Sequence, residues 1–308
     1  MKDIVIGIDI GGTNTVYGIA DRQGDCLYKN SLSTVAYTVV EDYVRALSED
    51  IIKALDRLPD YKLKGIGIGA PNGNYYTGTV KDAPNLVWKG TVNFTALFNQ
   101  YFSVPVKLTN DANAAAIGEM IYGAAKAIRD FVIVTLGTGV GSGFVIDGQV
   151  LYGYTGFAGE LGHTIIEENG RICGCGRRGC LEMYASARGV ILTYLDLLKQ
   201  LNLKQPDVNI NTEFIYKEAL KGSEAAIKTF DYTGKKLGFA LANTVAITSP
   251  EAIFLFGGIT GAGAFLFEPA LKYMNQYMLP VFAGSVKLLP SGVPAANAAV
   301  LGAAALAW

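Results

Sequence analysis

His163, Cys173, Cys175 and Cys180 present one imidazole nitrogen and three sulfurs in the order His-x9-Cys-x-Cys-x4-Cys. That is the donor set of a closed tetrahedral zinc site, with no coordination position left for a substrate. His163 is the only histidine of the chain, and the cluster holds three of its four cysteines. Glu160 and Glu182 stand on either side. A closed metal on one loop, flanked by carboxylates, describes a frame that presents polar groups to a ligand. With one nitrogen of His163 on the metal, the other N–H remains free to donate. The competing readings are a disulfide with a spare thiol and, for the glutamates, solvated loop charges.

A second chemistry sits on glycine turns. Asp9-Ile10-Gly11-Gly12-Thr13-Asn14 ends an apolar run with a carboxylate, then two glycines, then a hydroxyl. Glycines let backbone N–H groups approach an anion, Thr13 adds a donor, and Asp9 suits hydrated magnesium beside a phosphate. Gly137-Thr138-Gly139 repeats the pattern, and Gly257-Gly258 after a buried strand has room to admit a nucleoside. Tight hairpins alone would also explain any one such turn. Neither a Gly-x-Gly-x-x-Gly in the second turn nor a Gly-x4-Gly-Lys-Ser/Thr is present, so the Rossmann and P-loop solutions are excluded. Asn110-Asp111 then joins an apolar strand to an Ala-rich helix. The pair can cap that helix, or Asp111 can take the proton of an attacking hydroxyl while Asn110 binds neighbouring ones.

The elements that must carry these residues repeat. Strands at 4–9, 15–20 and 26–33, a helix at 41–58 and a strand at 65–69 are answered by strands at 131–136, 141–146 and 149–152. A helix at 225–248 and a strand at 252–256 complete the second copy. Two such βββαβ units indicate two related α/β domains around a central cleft, 1–115 and 116–292. The final helix (293–308) returns to the first domain, and 157–185 is a metal-loop insertion in the second. Half the residues are hydrophobic, 17% are charged and the formal net charge is −1. That composition excludes disorder and offers no electrostatic footprint for nucleic acid. No apolar run reads as a membrane span, no signal peptide is apparent, and clustered thiols fit a reducing cytoplasm.

These motifs together resemble the ROK family: Asp9-Ile10-Gly11-Gly12-Thr13, Asn110-Asp111, Leu136-Gly137-Thr138-Gly139, Gly159-Glu160-Leu161-Gly162-His163, and the run from Cys173 to Glu182. That family comprises bacterial glucokinases and other sugar kinases, with related transcriptional repressors, on a duplicated actin-like ATPase (ribonuclease H-like) fold. The resemblance implies an ATP-dependent hexokinase acting on the 6-hydroxyl of glucose, with Asp111 as the base. It implies sugar contacts from Asn72, Gly73, Asn85, Asn110, Glu160, His163 and Glu182, and zinc on His163, Cys173, Cys175 and Cys180. ATP and Mg2+ would be held by Asp9, Gly11, Gly12, Thr13, Asn14, Thr138, Gly139, Gly257 and Gly258, and the protein would be a homodimer. The loop Ala70-Pro71-Asn72-Gly73-Asn74-Tyr75-Tyr76 departs from the family's commoner Pro-Gly pattern, which leaves N-acetylhexosamines and other hexoses as alternative substrates. The repressors carry a helix-turn-helix segment ahead of the first strand, which here begins within three residues of Met1; no nucleic-acid partner is expected.

Overall fold

The computed structural model describes residues 1–308. The chain forms two compact units: residues 1–127, 150–158 and 292–308, and residues 128–149 and 159–291. Unit 1 opens with β1 (Lys2–Ile10), β2 (Asn14–Asp21) and β3 (Cys26–Ser33), then α1 (Val40–Leu55) and β4 (Tyr61–Gly69). Three short strands, β5 (Gly73–Asn74), β6 (Thr79–Lys81) and β7 (Thr91–Asn93), form a separate small sheet. The helix α2 (Phe94–Phe98), β8 (Val106–Thr109) and α3 (Asp111–Ile121) follow. The main sheet has the order β3-β2-β1-β4-β8, with β1 antiparallel to β2 and parallel to β4. Its central strands are buried on both faces, which is why β1 reads as a continuous apolar run rather than an alternating one. In α1 the buried Tyr43, Val44, Leu47, Ile51 and Ala54 recur at helical spacing, while Glu41 and Asp42 in the first turn favour the helix dipole.

Unit 2 contains β9 (Phe131–Leu136), β10 (Val140–Ile146) and β11 (Gln149–Val150), then α4 (Glu182–Ala185), α5 (Ala187–Gln200), α6 (Thr212–Leu220) and α7 (Glu224–Thr248). It closes with β12 (Ala252–Phe256), α8 (Ala264–Tyr277) and β13 (Lys287–Pro290). The strand order β11-β10-β9-β12-β13 repeats that of unit 1, the duplication read from the glycine turns. The last helix, α9 (Ala298–Ala305), lies on β1 and β4 of unit 1. It can do so because Gly7 and Gly67 lack side chains: a Cβ on either would clash with the Val300 or Ala303 carbonyl of α9. Small residues on both surfaces bring backbone to backbone.

Several bounds differ from the sequence expectation for physical reasons. The helix α3 runs through 115/116, and the units part at Ala127 instead. Residues 150–158 return to unit 1, where buried Asn74 donates to the Thr155 carbonyl at 2.7 Å and Tyr152 stacks on Tyr75 at 4.1 Å. The third strand of the second copy stops at Val150, and Gly153 turns the chain at φ +69. The metal-loop segment ends in α4, and α5 follows directly, burying Val190, Tyr194 and Leu198 in the unit 2 core.

Candidate functional site

In unit 1 three strand ends set the chemistry side by side. Asp9 on β1 pairs with Gly69 on β4, and Gly69 pairs with Thr109 on β8. Asp111 follows two residues later at the start of α3. A Cβ on Gly69 would stand 3.7 Å from Asp9 Oδ1 and 3.8 Å from the Asp111 Cα, so this glycine leaves the space that both carboxylates border. The capping reading of Asn110 holds, and the cap leaves groups of both residues for a ligand. Asn110 Oδ1 caps α3 by accepting the Asn113 N–H at 2.6 Å, leaving its NH2 for a ligand. Asp111 Oδ1 accepts the Ala112 N–H at 2.8 Å.

Asp9 is half-buried, Asp111 keeps an exposed surface, and neither carboxylate has a basic partner. Burial, then the charge of Asp111, pushes the Asp9 carboxyl up to about 6 from 3.8. Burial also raises Asp111, against the pull of the Ala112 N–H. A site that penalises two negative charges is suited to gaining a cation. Because the folded pKa of Asp9 exceeds its unfolded value, the native state holds a proton between about pH 4 and 6 that the unfolded chain has lost. Stability from this group is therefore present at low pH and lost as pH rises through 6. Without divalent cations, Asp9→Asn should remove that fall from the urea-midpoint profile; superimposable profiles would show that Asp9 titrates normally.

The first glycine turn is closed by the Gly11 N–H donating to the Asn14 carbonyl at 3.1 Å, with Thr13 and Asn14 exposed. It abuts the loop of Asn85: a Cβ on Gly12 would meet the Asn85 carbonyl at 2.5 Å. Lys89 Nζ gathers that loop by donating to the Leu86 carbonyl at 2.8 Å and to those of Ala83 and Pro84. Asn72 adopts φ +54, and its Nδ2 donates to the Lys81 carbonyl at 3.0 Å. Gly73 is buried, and a side chain there would clash with the Thr109 carbonyl, so it shapes the loop beside the base. Sequence reasoning passed over Lys89, which gathers its own loop, and Asn74 and Tyr152, whose partners lie far along the chain.

In unit 2 the turn Gly137–Gly139 joins β9 to β10 with Thr138 exposed at its tip. Gly257, at φ +114, lies against the end of β9, where a side chain would clash with the Leu136 carbonyl. Beyond it Gly258, Ile259, Gly261 and Ala262 line a pocket of about 220 Å3 with Thr212, Glu213, Tyr216 and Phe230. The contribution of α6 was not legible in the sequence, because nothing in its short run shows that it packs beside the 258–262 turn.

The ligating atoms of His163, Cys173, Cys175 and Cys180 all lie within 4.8 Å of one another. Cys173 Sγ is 3.8 Å from His163 Nδ1, and Cys175 Sγ is 3.6 Å from Cys180 Sγ. Metal–sulfur bonds of about 2.3 Å give tetrahedral edges of about 3.8 Å, so the donors stand where one ion would hold them. All the cysteines are free thiols, against the disulfide alternative. A backbone N–H from Arg177 lowers Cys175 to about 6, while burial raises Cys173 and pushes Cys180 up to about 12. The loop is held from outside as well: Arg171 reaches the Met183 and Gly189 carbonyls and Asp196, and Lys236 pairs with Glu167. With Nδ1 in the cluster, Nε2 of His163 is the nitrogen left to donate. Glu160 is exposed just before the 161–163 turn. Glu182 is turned inward, onto Val140 and Cys173.

The sequence pattern of the ROK family matches residues 5–308. A glucokinase of Thermotoga maritima is 32% identical over 309 residues, covering 98% of this chain and 96% of its own. A xylose repressor of Caldicellulosiruptor bescii is 31% identical over 286 residues, which is 89% of this chain and 71% of the repressor. Among solved structures, a ROK family glucokinase from Streptomyces griseus in complex with glucose and AMPPNP is similar, with a TM-score of 0.80 at 29% identity and 98% of each chain covered. The actin-like, two-domain α/β fold is shared with that kinase.

Proposed function

The chain belongs to the ROK family, and on that premise we propose that it is an ATP-dependent hexose kinase that phosphorylates the 6-hydroxyl of glucose. The observation that carries the reading is Asp111: a carboxylate open to solvent yet crowded by the surrounding fold, without a basic partner, its pKa raised, at the N-terminus of α3 beside Asp9. Asp111 accepts the proton as the sugar oxygen attacks the γ-phosphorus. The new O–P bond forms as the bridging P–O bond to ADP breaks. Phosphoryl transfer asks little more of a protein than position, charge and this base.

Asn110 Nδ2, His163 Nε2, Glu160 and Glu182 are assigned to the other ring hydroxyls, with Asn72 and Asn85 at the loop edge. Backbone N–H groups of the first glycine turn beyond Gly11, whose own N–H closes the turn, and of Thr138–Gly139 hold phosphate oxygens. The pocket behind Gly257 and Gly258 takes the nucleoside, with Tyr216 as its aromatic wall. Asp9 is suited to magnesium, which would neutralise the phosphate charge when bound. His163 and the three cysteines are suited to zinc, which would supply rigidity and a fixed imidazole tautomer. A panel of glucose, mannose, N-acetylglucosamine and N-acetylmannosamine with ATP and magnesium tests the reading. Glucose should give the highest kcat/KM, by at least tenfold. Turnover led by a 2-acetamido sugar would overturn the glucose assignment, and no turnover of any would overturn the kinase.

A further inference from the structure

Glu182 belongs to the metal loop in sequence but reaches the second glycine turn in space. Its Oε2 accepts the Val140 N–H at 3.1 Å, while Oε1 lies 3.6 Å from Cys173 Sγ. Gly139 leaves the room for this: a Cβ there would meet Oε2 at 2.5 Å. Other contacts seat the same turn on the same loop. Ala187, just past α4, donates its N–H to the Gly137 carbonyl at 2.8 Å. A side chain on Gly162 would clash with the Val140 carbonyl. Ser142 Oγ donates to the Gly159 carbonyl and accepts the Leu161 N–H at 3.1 Å. The turn assigned to phosphate therefore rests on the segment that carries Glu160 and His163.

We propose that Glu182 is a positioning residue for the second phosphate turn, holding Val140 through Oε2 while Oε1, beside Cys173, is the oxygen left for a sugar hydroxyl, so that one carboxylate couples nucleotide and sugar binding. The sugar half rests on the kinase reading; the Val140 half does not. A rigid side chain shared by two sites transmits a shift at either to the other. By linkage the coupling must be reciprocal. The charge on Glu182 would otherwise repel phosphate, so its place beside the turn is explained by the backbone it orients.

The test is AMPPNP affinity by calorimetry, with and without saturating glucose, for the intact protein and for Glu182→Ala, Glu182→Gln and Glu182→Asp. Without sugar, Glu182→Ala should weaken AMPPNP about tenfold. Gln keeps an oxygen at the same reach and should restore affinity to within about threefold. Asp keeps the charge but withdraws it by a methylene, and should behave like Ala; it also serves if the Ala variant does not fold. In the wild type, glucose should tighten AMPPNP at least fivefold, the lower end of typical coupling, and in the Ala and Asp variants that factor should approach one. Wild-type AMPPNP affinity in folded Ala and Asp variants would overturn the positioning role. Undiminished coupling by glucose in those variants would overturn the link. A wild type that binds AMPPNP but no hexose would sink the kinase reading instead, while the sugar-free comparison still decides the Val140 contact.

Discussion

Asp111→Asn should lower kcat by about a thousandfold, within the range that a positioned general base supplies, with KM for glucose and ATP changed by less than about threefold. The asymmetry follows from geometry. The amide oxygen of Asn can still accept the Ala112 N–H, and Asn110 still caps α3 through Asn113, so the helix start is preserved. What disappears is the only acceptor at that position able to take a full proton. The raised pKa of Asp111 makes the wild-type group a stronger base, and leaves an acidic limb in the pH profile of kcat/KM that the Asn variant should lack. Unchanged unfolding midpoints would confirm that fold is not the cause. A folded variant with kcat within fivefold of wild type would remove Asp111 from the mechanism.

Stripping the metal should lower kcat/KM for glucose by about 10- to 100-fold, the scale on which groups that orient ligands act, and zinc should restore it. One equivalent of metal per chain is expected in the purified protein by elemental analysis. The loss should be local. Arg171 and Lys236 anchor the far side of the loop, and the unit 2 core draws Leu161 and Leu181 from its ends, so far-UV circular dichroism should barely change. Limited proteolysis should open the segment around Cys175, which is exposed. Full activity in metal-free protein would reject the metal site; global unfolding would reject its local character. Because the same loop seats Gly137–Val140, nucleotide affinity should weaken along with sugar affinity. That differs from a frame devoted to sugar alone.

Much of this was legible because the relevant chemistry is local in sequence. The cysteine knuckle is one such case: Cys173, Cys175 and Cys180 lie within one turn, closed by the Cys173 N–H donating to the Arg177 carbonyl at 2.8 Å. Spacing alone therefore predicts convergence of the sulfurs. The duplication was legible for a similar reason, since a strand, a glycine turn and a returning strand form a hairpin unit that keeps its pattern wherever it packs. Asp9 and Asp111 come side by side because Asp9 lies at the end of β1 and Asp111 just follows β8, two strands joined through Gly69 of β4.

Long-range packing hid the rest. Asn74 and Tyr152 draw residues 150–158 back to unit 1 through one hydrogen bond and one stacked pair, across 81 positions in the first case. No periodicity records such a partner. The α6 wall of the pocket was concealed because its partners, α7 and the 258–262 turn, lie well along the chain and are met only by packing. Glu182 is the sharpest instance. Its residue type and place beside the cysteines point to ligand contact, yet the hydrogen bond that orients it goes to a backbone N–H 42 residues earlier. Sequence by itself determined which groups are present and which local turns hold them: the candidate metal donors, the carboxylate proposed as base, the glycine turns and the repeated sheets. Only the tertiary structure decided what each group faces, because a side chain's partner is set by packing among distant segments and not by its neighbours along the chain.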